Sequence, residues 1–226
     1  AVVGSAGMER KRPRRTRERI LETSLALFNR FGEPHITTAD IADEMNISPG
    51  NLYYHFRNKD QIIGELYSVL EERLSPLFEA PTGRVPGIED LWFMLHLLFE
   101  AMWDYRFFYR DLLELTSRNR KVALRFAELT RRGEDAVIQL CRGMVEAGTM
   151  RASEREIAAV AQNVAIVATY WMSFQRTAHP GPPGRPAGDD AGMSLERAAY
   201  QVLALIAPFT VGSARALIER LGDRYL

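Results

Sequence analysis

Three helix-capping residue types, Thr37, Ser48 and Asn58, stand eleven and ten positions apart, and this spacing is the strongest constraint on the fold. A capping side chain accepts a hydrogen bond from an orphan amide of the first turn, so each marks a helix start. Thr37 opens a segment carrying Ile41, Ala42 and Met45, and Asn46 marks a turn. Ser48 opens the next segment with Pro49 at its first position, where the missing N–H costs nothing. With starts so close, these two segments can only be short helices joined by a tight turn, a helix-turn-helix pattern. Before them, Ile20, Leu25, Ala26, Leu27, Phe28 and Phe31 give a helix that ends near Gly32, and Pro34 enforces a loop. After them, Ile62, Leu66, Val69 and Leu70 form the apolar side of a helix that Asn58 caps and Ser75-Pro76 ends.

Helical periodicity continues to the C-terminus, and no convincing length alternates with period two, so the fold class is all-α. Helices are expected from Ile88 to about Trp103, from Arg106 to Ser117 and from Val122 to about Ala147, with Gly148 as a stop. Ser153 and Glu156 form a capping-box pattern for a long helix reaching about Arg176. His179–Gly192 is dense in Pro and Gly and reads as a mobile loop. Ser194 caps a last amphipathic helix, which Pro208 bends or splits before Leu221.

Lys+Arg and Asp+Glu balance at 29 each, but Arg10, Lys11, Arg12, Arg14, Arg15, Arg17 and Arg19 face only Glu9 and Glu18, a local +5. Such asymmetry points to nucleic acid or an anionic surface; a solvated tail is the alternative. Cys141 is the single cysteine, which excludes an intrachain disulfide and is consistent with a reducing cytoplasm. No stretch approaches the ~20 apolar residues of a membrane span, so no membrane partner is expected. AVVGSAGM lacks the basic and apolar regions of a signal peptide. His35, His55, His96 and His179 lie far apart, and no metal, phosphate-loop or dinucleotide motif occurs. No catalytic residue, metal or cofactor is therefore expected. A helical enzyme using a buried carboxylate such as Glu100 or Asp104 lacks any nucleophile–base pair at recognisable spacing.

The long helix from Ser153 is apolar on two sides, with Val160, Val164, Val167, Trp171 and Phe174 on one and Ala161, Ala165, Ala168 and Met172 on the other. A helix apolar on two sides is buried on two sides. The alanine side suits close approach of a neighbouring helix, and Ala198, Val202 and Leu205 of the last helix are plausible partners in an intermolecular four-helix interface. A single large intramolecular bundle is the alternative. Trp92, His96, Phe99 and Trp103 share a face at i, i+4, i+7 and i+11. With Phe107, Trp171 and Gln175 they are candidate walls of an apolar pocket for a small, largely apolar molecule, although ordinary core explains most of these rings.

Residues Ile20 to Leu66 resemble the N-terminal domain of the TetR family of bacterial transcriptional regulators. The resemblance rests on Phe28, Gly32 and ITTADIADEMNISPGNLYYHFRNKDQI, and covers about a fifth of the chain firmly. It implies residues 1–12 as a disordered leader, 13–60 as a helix-turn-helix DNA-binding domain and 61–226 as a helical regulatory and dimerisation domain. It implies a cytoplasmic, nucleoid-associated homodimer, a repressor released from a palindromic operator by a small molecule that shifts the spacing of its two heads. A C-terminal domain serving as a structural or interaction module with no inducer is the alternative. By resemblance, Thr37, Thr38 and Ala39 contact DNA from the second helix; Ser48, Pro49, Gly50, Asn51, Tyr53, Tyr54 and His55 do so from the recognition helix. Lys59 does so from the fourth helix, and Arg14, Arg15 and Arg17 from an N-terminal arm. The chemistry agrees: Pro49 and Gly50 keep the helix tip slim enough for a major groove about 12 Å wide, and the Asn51 amide can read adenine. Tyr53 and Tyr54 carry polar tips, and one of them can instead support the turn; Leu52 and Phe56, four apart, share the inward face.

Overall fold

The computed structural model describes residues 11–179 and 195–225. The expected leader up to Arg10, most of the Pro/Gly-rich stretch and the Ser194 cap lie outside the described residues. Among the described residues there are eleven α-helices: α1 Lys11–Phe31, α2 Thr38–Glu44, α3 Pro49–His55, α4 Lys59–Leu74, α5 Ile88–Asp104, α6 Arg106–Arg110, α7 Leu112–Arg118, α8 Arg120–Glu146, α9 Glu154–Ala178, α10 Leu195–Ile206 and α11 Gly212–Tyr225. The only extended pairing among them is an isolated bridge between Met150 and Thr210. The chain divides into two compact units after Val69, inside α4, later than the residue 60 that the sequence suggests. The reason lies in α4, whose Ile62, Ile63 and Leu66 are buried in its N-terminal half.

In the N-terminal unit capping chemistry sets the starts of α2, α3 and α4. α1 stops at Gly32, whose φ of +91° is a conformation that favours glycine. The Thr37 hydroxyl accepts from the Asp40 amide while the Asp40 carboxylate accepts from the Thr37 amide, closing a capping box. Asn46, at φ +54°, makes the turn between α2 and α3. The Ser48 hydroxyl accepts from the Asn51 amide, and the Asn58 side chain from the Gln61 amide. Ile20, Phe28, Ile41, Ala42, Leu52 and Phe56 are fully buried and form the core of the unit. The basic run differs from expectation, since α1 begins at Lys11 and Arg14, Arg15 and Arg17 sit on a helix and not on an arm.

In the C-terminal unit α8 and α9 pack along each other, and α10 packs on both α5 and α9. The single helix expected from Arg106 to Ser117 is broken at Asp111 into α6 and α7. Phe107, Phe108 and Tyr109 are all buried, and three successive buried rings cannot share one helix face, so the chain turns after them. Pro208 splits the last helix as expected, into α10, a single turn at Ala207–Phe209 and α11. The alanine side of α9 corrects the interface expectation. Ala161, Ala168, Met172, Ala198 and Val202 are buried within this one chain, while Ala165 and Leu205 are half-buried. The small side chains allow packing inside the subunit, and the apolar surface left outside on α9 is Ile166, Tyr170 and Phe174. A second correction concerns length, since α9 is long and apolar enough to cross a membrane by composition alone. Its alanines and valines supply that apolarity, although its large residues are interrupted by Gln162 and Asn163. The valine and alanine side packs into this unit, the use a globular core makes of such a helix.

Candidate nucleic-acid interface and ligand cavity

The tips of α2 and α3 bring most of the expected contact residues to the surface. Thr37, Ala39, Ser48, Pro49, Gly50 and Asn51 are exposed. A Cβ built on Gly50 would find nothing nearer than the Ser48 hydroxyl at 3.9 Å. The slim tip is therefore open space that a base edge or phosphate can approach. The two tyrosines separate. The Tyr53 hydroxyl lies 3.0 Å from the Thr38 hydroxyl, a hydrogen bond that ties α3 to α2. Tyr54 is 79% exposed and touches His55 only edge-on. Tyr54 is thus the freer of the two to reach outward, and Tyr53 supports the angle between the helices. His55 is half-buried; desolvation, and then the positive charge of Arg17, lower its pKa. At neutral pH it is a neutral imidazole, not a cation for phosphate.

Two expected cationic contacts are engaged inside the unit. Lys59 donates to the backbone carbonyl of Glu33 at 3.0 Å and to that of Ile36 at 2.9 Å, and pairs with the Glu33 carboxylate at 2.7 Å. Glu33 is fully buried, so Lys59 neutralises a charge that has no access to water. Arg17 forms a two-pronged pair with Glu65, and its guanidinium lies 4.5 Å from the centroid of the Phe56 ring. These side chains hold α1, the turn before α2, α3 and α4 together. Of the expected cationic contacts Arg14, which pairs with Glu18, and Arg15 are exposed, and so is Arg57. Arg57 joins the recognition helix to α4 and was not among the expected contacts; its place between Phe56 and the Asn58 cap was the available signal.

In the C-terminal unit a cavity of about 70 Å³ lies among α5, α8 and α9. Its walls include Met94, Leu98, Phe126, Leu129, Ala161 and Ala165. None of Trp92, His96, Phe99, Trp103, Phe107, Trp171 and Gln175 lines it. Phe99 and Phe107 are core, Trp92 stacks edge-on to His96 at 4.2 Å, and Arg106 lies over Trp103. The cavity uses Met94, Leu98 and Met102 of α5, a face centred about 120° round the helix from Trp92. Periodicity grouped one face of α5 and could not say whether that face looked into space. On α9 the alanines that suggested close helix approach leave part of this cavity unfilled.

Two family models match the chain. One, described as "Bacterial regulatory proteins, tetR family", covers residues 20–66; the other, "Bacterial transcriptional repressor", covers residues 69–218. An Escherichia coli protein named "Probable acrEF/envCD operon repressor" is 40% identical over 53 residues, 24% of each chain. The alignment thus spans about a quarter of that relative's length. A TetR-family transcriptional regulator from Marinobacter aquaeolei VT8, solved by crystallography, is 36% identical with a TM-score of 0.81, over 93% of this chain and 98% of its own. A transcriptional regulator from Saccharomonospora viridis, solved in complex with choline, has the same fold at 17% identity and a TM-score of 0.61, over 85% of this chain and 96% of its own.

Proposed function

The chain belongs to the tetR family of bacterial regulatory proteins, and we propose that it is a DNA-binding transcriptional repressor that acts as a homodimer on a palindromic operator and is released by a small molecule. The exposed tip of α3, with Ser48 to Asn51 in open space and Tyr54 projecting beside them, is the observation that carries this reading. Thr37, Thr38 and Ala39 stand beside it on α2, and Arg14, Arg15 and Arg57 supply charge for phosphate. Arg17, Lys59 and Tyr53 act indirectly, by holding the two short helices at a fixed angle. Such a protein works where the chromosome is, in the cytoplasm and on the nucleoid.

The proposed dimer face is the outward side of α9, where Ile166, Tyr170 and Phe174 are exposed in a row at helical spacing. Large apolar side chains so placed are covered in a stable protein by a partner surface. Ile166→Glu should therefore give monomers by light scattering; an unchanged dimer would rule this face out. Half-sites are expected about one helical turn, ~34–36 Å, apart or a multiple of it. Gel shifts with genomic fragments that include the protein's own promoter test the central reading. A retarded palindromic fragment, with affinity falling steeply with salt, is expected; no preference among fragments would overturn it. The cavity in the C-terminal unit, beside an open groove, favours a ligand-binding domain over a solid structural module.

A further inference from the structure

We propose that the small molecule is an elongated lipophilic amine, its cationic head at Glu134 and its tail lying past Phe78 into the adjoining groove. This rests on reading the C-terminal unit as ligand-binding. The head-group assignment comes from α8. Phe126, Leu129, Thr130, Gly133, Glu134 and Val137 recur at i, i+3 and i+4 spacing and all line the cavity. Glu134 is the single charged residue of the lining, half-buried on an otherwise apolar helix face. It has no ion-pair partner among the described residues. The neighbouring cations on α8 are turned elsewhere, since Arg131 is held by Glu128 and Asp135, and Arg132 donates to Ser75. A carboxylate beside an apolar wall loses hydration unless a cation or donor meets it. A ligand ammonium would meet it, and a carboxylate or sulfate head would be repelled. Apolar walls around one charged group orient a ligand and select its charge.

The tail assignment comes from volume. A cavity of about 70 Å³ falls well short of the ~300–1,000 Å³ of ligand sites. A groove of about 410 Å³ adjoins it, bounded by the Ser75–Phe78 turn, α5 and α8; Leu77, Phe93 and Leu140 give it an apolar wall for a tail, with Glu79, Asp90, Arg132 and Asp135 also in its lining. Phe78 and Met94 line both spaces and form the partition between them. The Phe78 ring packs on the bare backbone of Gly133, where a Cβ would come within 3.4 Å of the ring. The ring ends a single helical turn that leads into an exposed connection. Swinging it outward joins cavity and groove without moving α5 or α8.

The test uses full-length protein and three probes with one tail and three heads: n-octylamine, n-octanol and n-octanoate, titrated by calorimetry below their aggregation limits. Wild type should bind the amine at least tenfold more tightly than the alcohol, and the carboxylate least. Glu134→Gln should bring amine and alcohol within about twofold. Phe78→Ala should speed amine association at least fivefold in stopped-flow fluorescence. Equal affinities for the three heads, no detectable binding of any, or an amine preference that survives Glu134→Gln would overturn the assignment, and an unchanged association rate in Phe78→Ala would overturn the partition. Operator binding is read on the same samples. Intact operator binding with no amine preference sinks this inference alone, whereas loss of all DNA preference sinks the regulator reading itself.

Discussion

The N-terminal unit is cross-linked by charged and polar side chains, whereas the C-terminal unit leaves a cavity among its helices and holds several ion pairs at the surface. Arg17 with Phe56 and Glu65, Lys59 with Glu33, and Tyr53 with Thr38 each join separate elements of the first unit. In the second, the pairs of Arg131 and Arg142 are surface pairs, and the space among α5, α8 and α9 is incompletely filled. Helix length explains the difference. α2 and α3 have seven residues each, too short to persist without outside support. α8 and α9 have 27 and 25 residues and bury enough apolar surface along their lengths to tolerate a void between them.

Four experiments break or sharpen this contrast. The largest effect is expected from Lys59→Met, which leaves the Glu33 carboxylate buried without its cation. A loss of about 3–5 kcal/mol is expected, seen as faster amide exchange from Ile36 through α2. Its counterpart Arg215→Met breaks an exposed pair with Glu219 in the second unit and should cost under about 1 kcal/mol. Equal effects at the two sites would erase the distinction. Next, Ala42→Val adds volume to a fully packed site and should destabilise by about 1–3 kcal/mol. Ala165→Met grows into the cavity and should leave the calorimetric midpoint level or raise it by a few degrees; a clear drop would mean the space is not available to a side chain.

Third, Ser48→Ala and Ser153→Ala remove the same kind of cap, worth ~1 kcal/mol each. Operator affinity should fall for Ser48→Ala, because α3 is short and carries the proposed contacts, and stay level for Ser153→Ala. The smallest effect is shared. Hydrogen bonds from Thr37 hold the Asp40 carboxyl below its ordinary pKa, and hydrogen bonds from Ser153 do the same for Glu156. A depressed carboxyl contributes stability that is present above its unfolded pKa and lost as pH falls through the folded one. Both caps should thus be intact at neutral pH and fray together below about pH 4, visible as first-turn amide exchange in α2 and α9. Fraying in one helix alone would deny the common mechanism.

Capping and periodicity were legible in the sequence because both are local chemistry. Thr37, Ser48, Asn58 and Ser153 act within three residues of themselves, and each cap forms where the pattern placed it. The inward set of Leu52 and Phe56 followed from spacing alone. Lys59 was not legible in this way, since its role depends on a carboxylate 26 residues earlier that only the fold buries. The cavity escaped for a related reason. A small residue either admits a neighbour or leaves a space, and Ala161, Ala165 and Ala168 carry no mark to separate the two. Trp92 and its partners likewise share a stripe on α5, and nothing in their spacing told that this cavity would open on other residues of the helix.

The two sides of α9 have a consequence for how such a chain can diversify. The alanines that bound the cavity and the large residues Ile166, Tyr170 and Phe174 that face outward are interleaved in sequence but lie on different sides of the same rod. Single-nucleotide changes at the alanines can reshape what the cavity admits while leaving the outer surface as it was. On the proposed dimer face, changes at the outer residues would alter assembly without redefining the signal. One helix can therefore drift along two independent evolutionary axes, so paralogues could come to sense different molecules and still share one architecture.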